Sequence, residues 1–443
     1  MATSLTFYGG VREVGGNKIL IKDCETSLLL DFGRSFNLSR FYYSPPYLAP
    51  RNESELLELG ILPKIKGIYR FDESERSVDA VFLSHSHLDH SSYITFLKRS
   101  IPIYCGETTG NILRAISEMS RATLELNFEG LEFNSFRTGD KIKIGSVEVE
   151  PIHVDHSVPG AYGFVVRTTS GSLIYTGDFR VHGIKPEMTF EFLDKAANED
   201  PIAMISEGTN IERAETSDET ELIKKLDAVV KSTSGVVLAD FSKSDVDRLK
   251  SFYAVAKQND RKLVINTKQA YLLHMLRGDK KLEVPSLKDD LICLHQKLKK
   301  RMYEWENTVI GLVEKEKMLD GRNIEERQSE IILVLSLYDF EELIRIKPKP
   351  GSCYILSSSE PLNEEMEMDY DRLTNWLSHY GIPHYHIHVS GHIMPLQLRS
   401  AIEQVNPKQV FPVHCEKPEL LKKFISDLPA ETITPVEGKE YKL

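Results

Sequence analysis

Short apolar runs that end on a polar residue recur along the chain. SLLLD ends at Asp31, AVFLSH at His85, SLIYTGD at Asp178 and IAMISE at Glu207; VVLAD ends at Asp240, SCYILSSS at Ser359 and QVFPVH at His414. Runs of this length with helical patterns between them read as buried strands of α/β sheets. Residues 245–257 and the charged residues 291–317 have helical character. In such folds functional groups gather at the carboxyl ends of strands, which is where these polar residues fall.

Residues 207–358 have their own alternation, with VVLAD, KLVINT, EIILVLS and CYILSS as strands. This predicts a separate α/β domain over residues 207–358, set between residues 1–206 and their C-terminal continuation, residues 359–443. The Pro- and Tyr-rich residues 40–70 lie between two motif-bearing strands. They predict an ordered excursion and a candidate oligomer contact.

Composition narrows the class. With 41% apolar and 27% charged residues over 443 positions, the chain is an ordinary globular protein of more than one domain. No apolar run approaches the ~20 residues of a spanning helix, and the start MATSLTFYGG lacks the pattern of a signal peptide. Five scattered cysteines, never in CxxC spacing, predict reduced thiols and a cytoplasmic location. The net charge of −11 is unevenly spread: residues 241–301 hold 15 Lys and Arg against 7 Asp and Glu. Such a basic stretch is a possible footprint for a polyanion.

The stretch LSHSHLDHSS, residues 83–92, changes the picture most. It holds three of the chain's 14 histidines, His85, His87 and His90, together with Asp89. A loop leaving a strand turns alternate side chains inward, so His85 and His87 would share one side. Asp89 and His90 follow as a helix begins and would face a neighbouring point. Neutral imidazole and carboxylate are the ligands Zn²⁺ takes when no thiolate is offered. Two pairs predict two ions, and further ligands are available at strand ends: His153, His156, Asp178 and His414. In HYHIH, His384, His386 and His388 alternate as on one face of a strand and read as structural. His182, His274 and His295 have no motif around them.

GGVREVGGN, LLLDFG, HSHLDH, HSVPGAYGF and TGDF together resemble the metallo-β-lactamase fold. SEGTN, HVSGH and FPVHCE resemble the extra motifs of its β-CASP branch, and the wording of all eight is most similar to the ribonuclease J family in its shorter, archaeal type. The resemblance spans nearly the whole chain. It implies an αββα sandwich with an inserted α/β β-CASP domain, and a metal-dependent ribonuclease. His85, His87 and His156 would hold one Zn²⁺; Asp89, His90 and His414 would hold a second, with Asp178 between them and Mn²⁺ an alternative metal. Asp31 would orient a ligand, and His153 would be a strand histidine.

The expected reaction is attack on RNA by a hydroxide shared between the ions. Asp89, Asp178, Glu207 and His392 count as catalytic, His392 lying over the scissile phosphate. Ser242, Ser390, Gly391 and His392, with Ser358 and Ser359 as weaker candidates, would bind phosphate. That predicts a 5′-to-3′ exonuclease on single-stranded RNA with a 5′-monophosphate. Glu207 stands where ribonuclease J usually has Asp and the eukaryotic pre-mRNA cleavage relatives have Glu, so an endonuclease is the alternative. A small-molecule hydrolase and a non-catalytic RNA-binding subunit are more distant readings. After His414 only 29 residues remain; the further C-terminal domain of the bacterial enzymes is not expected, so a homodimer would use other surfaces, such as residues 40–70.

Overall fold

Alternation of side chains along the strands sets the layering of the computed structural model, which describes residues 2–44, 47–120, 123–213, 217–297, 301–358 and 364–443. In the strand Thr26–Phe32, Leu28 and Leu30 enter one buried cluster while Leu29 enters another. In Tyr162–Arg167, Phe164 and Val166 join that first cluster, and Val165 faces a third. The shared cluster is therefore the contact between two sheets, and each sheet's other face is covered by helices. Each such side chain taken from water contributes about 1.5–3 kcal/mol before the entropy of ordering is set against it.

The first sheet runs in the order Glu440–Lys442, Ser4–Gly9, Lys18–Asp23, Thr26–Phe32, Ala80–Phe82, Ile103–Gly106, Phe133–Phe136. The second runs Glu431–Thr432, Gln409–Val413, Ala203–Glu207, Ser172–Tyr175, Tyr162–Arg167, Val147–His153, Ile142–Ile144. Helix Pro395–Val405 shows how the outer layer forms. Leu398, Ala401, Ile402 and Val405 recur at helical spacing and bury one stripe against the second sheet. Its C-cap, Asn406, has φ +47°, a left-handed conformation that Asn tolerates.

The chain divides into two compact units, Met1–Glu215 with Gly391–Leu443, and Thr216–Ser390. The divisions fall later than residues 206/207 and 358/359. Helix Glu364–Tyr380 and strand His384–His386 build the second unit, the strand pairing in parallel with Cys353–Leu356. This unit's sheet is parallel throughout, in the order Met318–Leu319, Ile292–His295, Lys262–Ile265, Ile331–Val334, Val237–Asp240, Cys353–Leu356, His384–His386.

The helix expected over residues 291–317 is corrected. Ile292–His295 is a buried strand, and among the described residues of this stretch only Glu304–Leu312 is α-helical. ICLH is a short apolar run that satisfies its backbone against Lys262–Ile265; the lysines after it gave the stretch a misleading charged, helical look. The neighbouring expectation of a helix from residue 245 is matched by Val246–Gln258, where the Asp245 side chain accepts from Arg248 N at 2.8 Å and caps the first turn. In HYHIH only His384–His386 is a strand, and His388 lies beyond it. Ser359 lies outside the described residues. Within residues 40–70 there is an ordered helix, Glu53–Glu58.

Candidate metal centre

The strand ends of the first unit converge on one point. AVF ends in a loop from which His85 and His87 emerge, and His87 takes the N-cap position of the short helix Leu88–Ser91 that carries Asp89 and His90, without a capping bond from its side chain. Opposite stand His156 beyond strand Val147–His153, Asp178 beyond Ser172–Tyr175, Glu207 at the end of Ala203–Glu207, and His414 beyond Gln409–Val413.

Asp31 reaches this point through a β-bulge. Lys18 pairs with Phe32 and Ile19 with Leu30, so Asp31 is the extra residue, with φ +55°. A bulge re-aims a side chain that the strand's alternation would send elsewhere. Asp31 Oδ1 accepts from Ser84 N at 2.7 Å; Oδ2 lies 2.7 Å from His90 Nδ1 and accepts from the Ser84 and Tyr175 hydroxyls at 2.7 and 2.6 Å. The buried carboxylate thus fixes both the loop and the tilt of the His90 ring. His414 also has a left-handed backbone, φ +49°. Strain held at two such positions is characteristic of functional sites.

At the centre lies Asp178. Both its carboxylate oxygens are buried and have no hydrogen-bond partner among the described residues. Around Oδ2 stand five imidazole nitrogens: His90 Nε2 at 3.3 Å, His85 Nε2 at 3.5 Å, His392 Nδ1 and His414 Nε2 at 3.7 Å, and His156 Nε2 at 3.8 Å. Two ligands each about 2.1 Å from one tetrahedral ion stand about 3.4 Å apart. The spacing fits donor atoms arranged around cations better than a hydrogen-bonded network. Three overlapping groups have donor atoms within 4.8 Å of one another: His85, His87, His156 and Asp178; Asp89, His90 and His414; and Asp178, Glu207, His392 and His414. This is a metal-binding site.

Electrostatics prepares the donors. Burial depresses His85 and His156 well below the usual histidine range and brings His87 to about 4, so these rings are neutral, the form that binds metal. Burial opposes ionisation of Asp89 and Asp178, yet the surrounding histidines hold both well below the carboxylate range. His392 is raised to about 9: burial works against its charge, and Glu207 and Asp178 outweigh it. Glu207 Oε2 lies 2.9 Å from His392 Nδ1, and Glu207 Oε1 accepts from Phe179 N at 2.9 Å. His85 and His90 are fully buried, while Asp89 and His392 keep 13% and 21% side-chain exposure. Solvent therefore reaches the cluster at Asp89 and His392.

The structure brings His85, His87, Asp89, His90, His156, Asp178, Glu207, His392, His414 and Asp31 together. His156 Nδ1 donates to Gly391 O at 2.6 Å, so Gly391's carbonyl is committed to orienting a ring. A Cβ there would stand 2.9 Å from Ser157 Oγ and 3.2 Å from His156 Cε1, which is why glycine serves. His153 is apart from the cluster, 2.9 Å from Thr138 Oγ1. Cys415, 1% exposed, is part of the apolar core. Ser242, Ser358 and Ser390 belong to the second unit; Ser242 Oγ is 3.1 Å from Ser244 Oγ.

Sequence reasoning missed Thr209, Ser84 and Tyr175. Thr209 Oγ1 donates to Glu207 Oε2 at 2.5 Å and lies 2.8 Å from His414 Nδ1 and 3.3 Å from His392 Nδ1. Its place inside SEGTN was the available signal.

A family model described as a β-lactamase superfamily domain matches residues 69–197. Ribonuclease J of Thermus thermophilus is 26% identical, over 98% of this chain and 73% of the relative. Ribonuclease J of Mycoplasma genitalium is 23% identical over 94% and 68%, and ribonuclease J2 of Bacillus subtilis 24% over 92% and 68%. A solved structure, a protein of unknown function from Enterococcus faecalis V583, superposes over the full length of both chains with a TM-score of 0.80 at 23% identity; that likeness speaks to fold. Two face-to-face sheets with a histidine and aspartate cluster at their strand ends thus form a metallo-β-lactamase domain. Within that class, the chain is a homologue of ribonuclease J.

Proposed function

We propose that this chain is a metal-dependent ribonuclease that degrades single-stranded RNA from its 5′ end, preferring a 5′-monophosphate. The observation that carries the metal chemistry is Asp178, a buried carboxylate without a hydrogen-bond partner among the described residues, ringed by five imidazoles. Ribonuclease J homology supplies the substrate class. His85, His87 and His156 would hold one ion and Asp89, His90 and His414 a second, with Asp178 serving both; the donor set suits Zn²⁺, with Mn²⁺ the alternative. When bound, such ions polarise a phosphate oxygen and lower the pKa of water to about 7.

The chain's own residues do the rest. Asp31 and the Gly391 carbonyl hold His90 and His156 in one orientation. Glu207 fixes His392 through Nδ1 and favours its protonated form, so His392 can meet charge on the phosphate or protonate the leaving oxygen. Ser242, Ser390 and the Gly391 backbone are proposed to bind the 5′-phosphate, while basic residues 241–301 track the strand in a salt-dependent way. A cytoplasmic homodimer belongs to the same proposal. No helix among the described residues is long and apolar enough to cross a membrane.

End-labelled RNA tests the exonuclease reading. Linear 5′-monophosphorylated RNA should release mononucleotides progressively from its 5′ end, and Ser242→Ala and Ser390→Ala should erode the preference over 5′-hydroxyl RNA. Circular RNA cut as fast as linear RNA would make the enzyme an endonuclease instead.

A further inference from the structure

The segment GGVREVGGN, residues 9–17, joins the strands Ser4–Gly9 and Lys18–Asp23 and takes no part in the proposed chemistry. Its backbone is tightly wound: Gly10, Arg12, Gly15 and Gly16 have φ of +73°, +56°, +85° and +74°. It touches every histidine and aspartate assigned to the second ion alone. Gly10 O accepts from His414 N at 2.8 Å, and Asn17 N donates to Asp89 O at 3.1 Å. Asn17 Nδ2 lies 3.5 Å from both ring nitrogens of His90 and donates to the Tyr175 hydroxyl at 3.4 Å. Gly15 lies directly against Asp89, where a Cβ would stand 2.7 Å from Oδ2. Among the described residues, no hydrogen bond from residues 9–17 reaches His85, His87 or His156.

Two charged side chains hold this loop in place. Glu13 turns back on it: Oε1 accepts from Gly10 N at 3.3 Å, and Oε2 from the Ser35 hydroxyl at 2.5 Å. Lys18, 1% exposed, donates from Nζ to Gly16 O at 2.9 Å, with its ammonium 5.5 Å from the ring centre of Tyr93. Burying an ammonium is costly, and an apolar residue would serve a plain strand better. Among the described residues neither side chain hydrogen-bonds to a metal-ligand candidate, so each acts through the loop.

We propose that Glu13 and Lys18 are positioning residues that set the affinity of the second ion site. They fix the loop, and the loop fixes Asp89, His90 and His414. The first site, at His85, His87 and His156, gets its support elsewhere, His156 from the Gly391 carbonyl. Groups that orient metal ligands without binding the metal change its affinity by about 10- to 100-fold. The inference rests on the two-ion reading of the cluster and adds to it that the two sites are supported separately.

Calorimetric titration of Zn²⁺ into the chelator-stripped full chain tests this. The unsubstituted chain should take up two equivalents. Glu13→Ala and Lys18→Met should each bind one equivalent as before and the other about 10- to 100-fold more weakly. Glu13→Gln keeps an acceptor oxygen for Gly10 N and should recover most of the lost affinity. Methionine keeps the length and bulk of the buried lysine stem, so Lys18→Met alone decides if near-UV circular dichroism shows Glu13→Ala to be disturbed. Two equivalents bound by Lys18→Met as tightly as by the unsubstituted chain overturn the proposal. Both equivalents weakened alike would make the loop a general support of the fold and equally overturn it. A single equivalent in the unsubstituted chain is a separate failure, which removes the two-ion reading and this inference with it.

Discussion

At Thr209 one hydroxyl lies within hydrogen-bond range of Glu207, His392 and His414. Valine keeps the volume and removes the hydroxyl, so Thr209→Val should loosen both rings and leave Glu207 partly unpaired. Turnover or metal affinity should fall about 10- to 100-fold, as for other groups that orient metal ligands, with the circular dichroism unchanged. Unchanged turnover and metal content would reduce Thr209 to filler. This residue also marks the limit of what sequence shows. His85, His87, Asp89, His90 and Asp178 were legible because few structural roles call for such residue types at such spacing. A threonine in a loop has many ordinary uses, and nothing in SEGTN says that its hydroxyl points inward. Asp31 was legible as a strand-end acid, but its bulge and positive φ were not, because both depend on the pairing register with Lys18 and Ile19.

The helix Leu88–Ser91 is only four residues long, and its neighbours hold it in position. Asn17 N donates to Asp89 O at 3.1 Å and Arg34 N to Leu88 O at 3.0 Å. Gly33 makes this approach possible: a Cβ there would stand 1.8 Å from Asp89 O. Gly33→Ala should therefore push the helix outward and reduce bound metal, although the substituted residue is not a proposed ligand. Metal content by mass spectrometry checks it, and full occupancy would contradict the fit.

In the second unit, strand Val237–Asp240 buries the carboxyl of Asp240, raising it to about 6 against an opposing hydrogen bond from Tyr354 OH at 2.6 Å. The folded state thus favours the protonated form. That contribution is full below about pH 4 and is lost as pH rises through about 6. Asp240→Asn, neutral at every pH, should gain stability relative to the unsubstituted chain between pH 4 and 7, by roughly 1–3 kcal/mol. Denaturant curves at several pH values would show this, and a pH-independent difference would contradict it. The element at which sequence reading failed, Ile292–His295, lies in the same sheet. Four apolar residues cannot declare a period by themselves; pairing with Lys262–Ile265 decides their conformation.

For the whole molecule, pattern carried furthest where many short signals agreed. Buried strands and their acidic and histidine-bearing ends were visible in the chain's recurrent apolar runs, and the two-sheet sandwich followed from the resemblance that the motifs carry. The unit boundaries were not, because they depend on where helix Glu364–Tyr380 and strand His384–His386 pack. The central claim is that the cluster around Asp178 is a two-ion centre that hydrolyses RNA. Its most direct measurement is cleavage of 5′-monophosphorylated RNA by chelator-stripped protein as Zn²⁺ or Mn²⁺ is titrated back. Activity should be absent at the start, rise with added metal and saturate at two equivalents per chain. Cleavage by the fully stripped protein, or saturation at a single equivalent, would contradict the account.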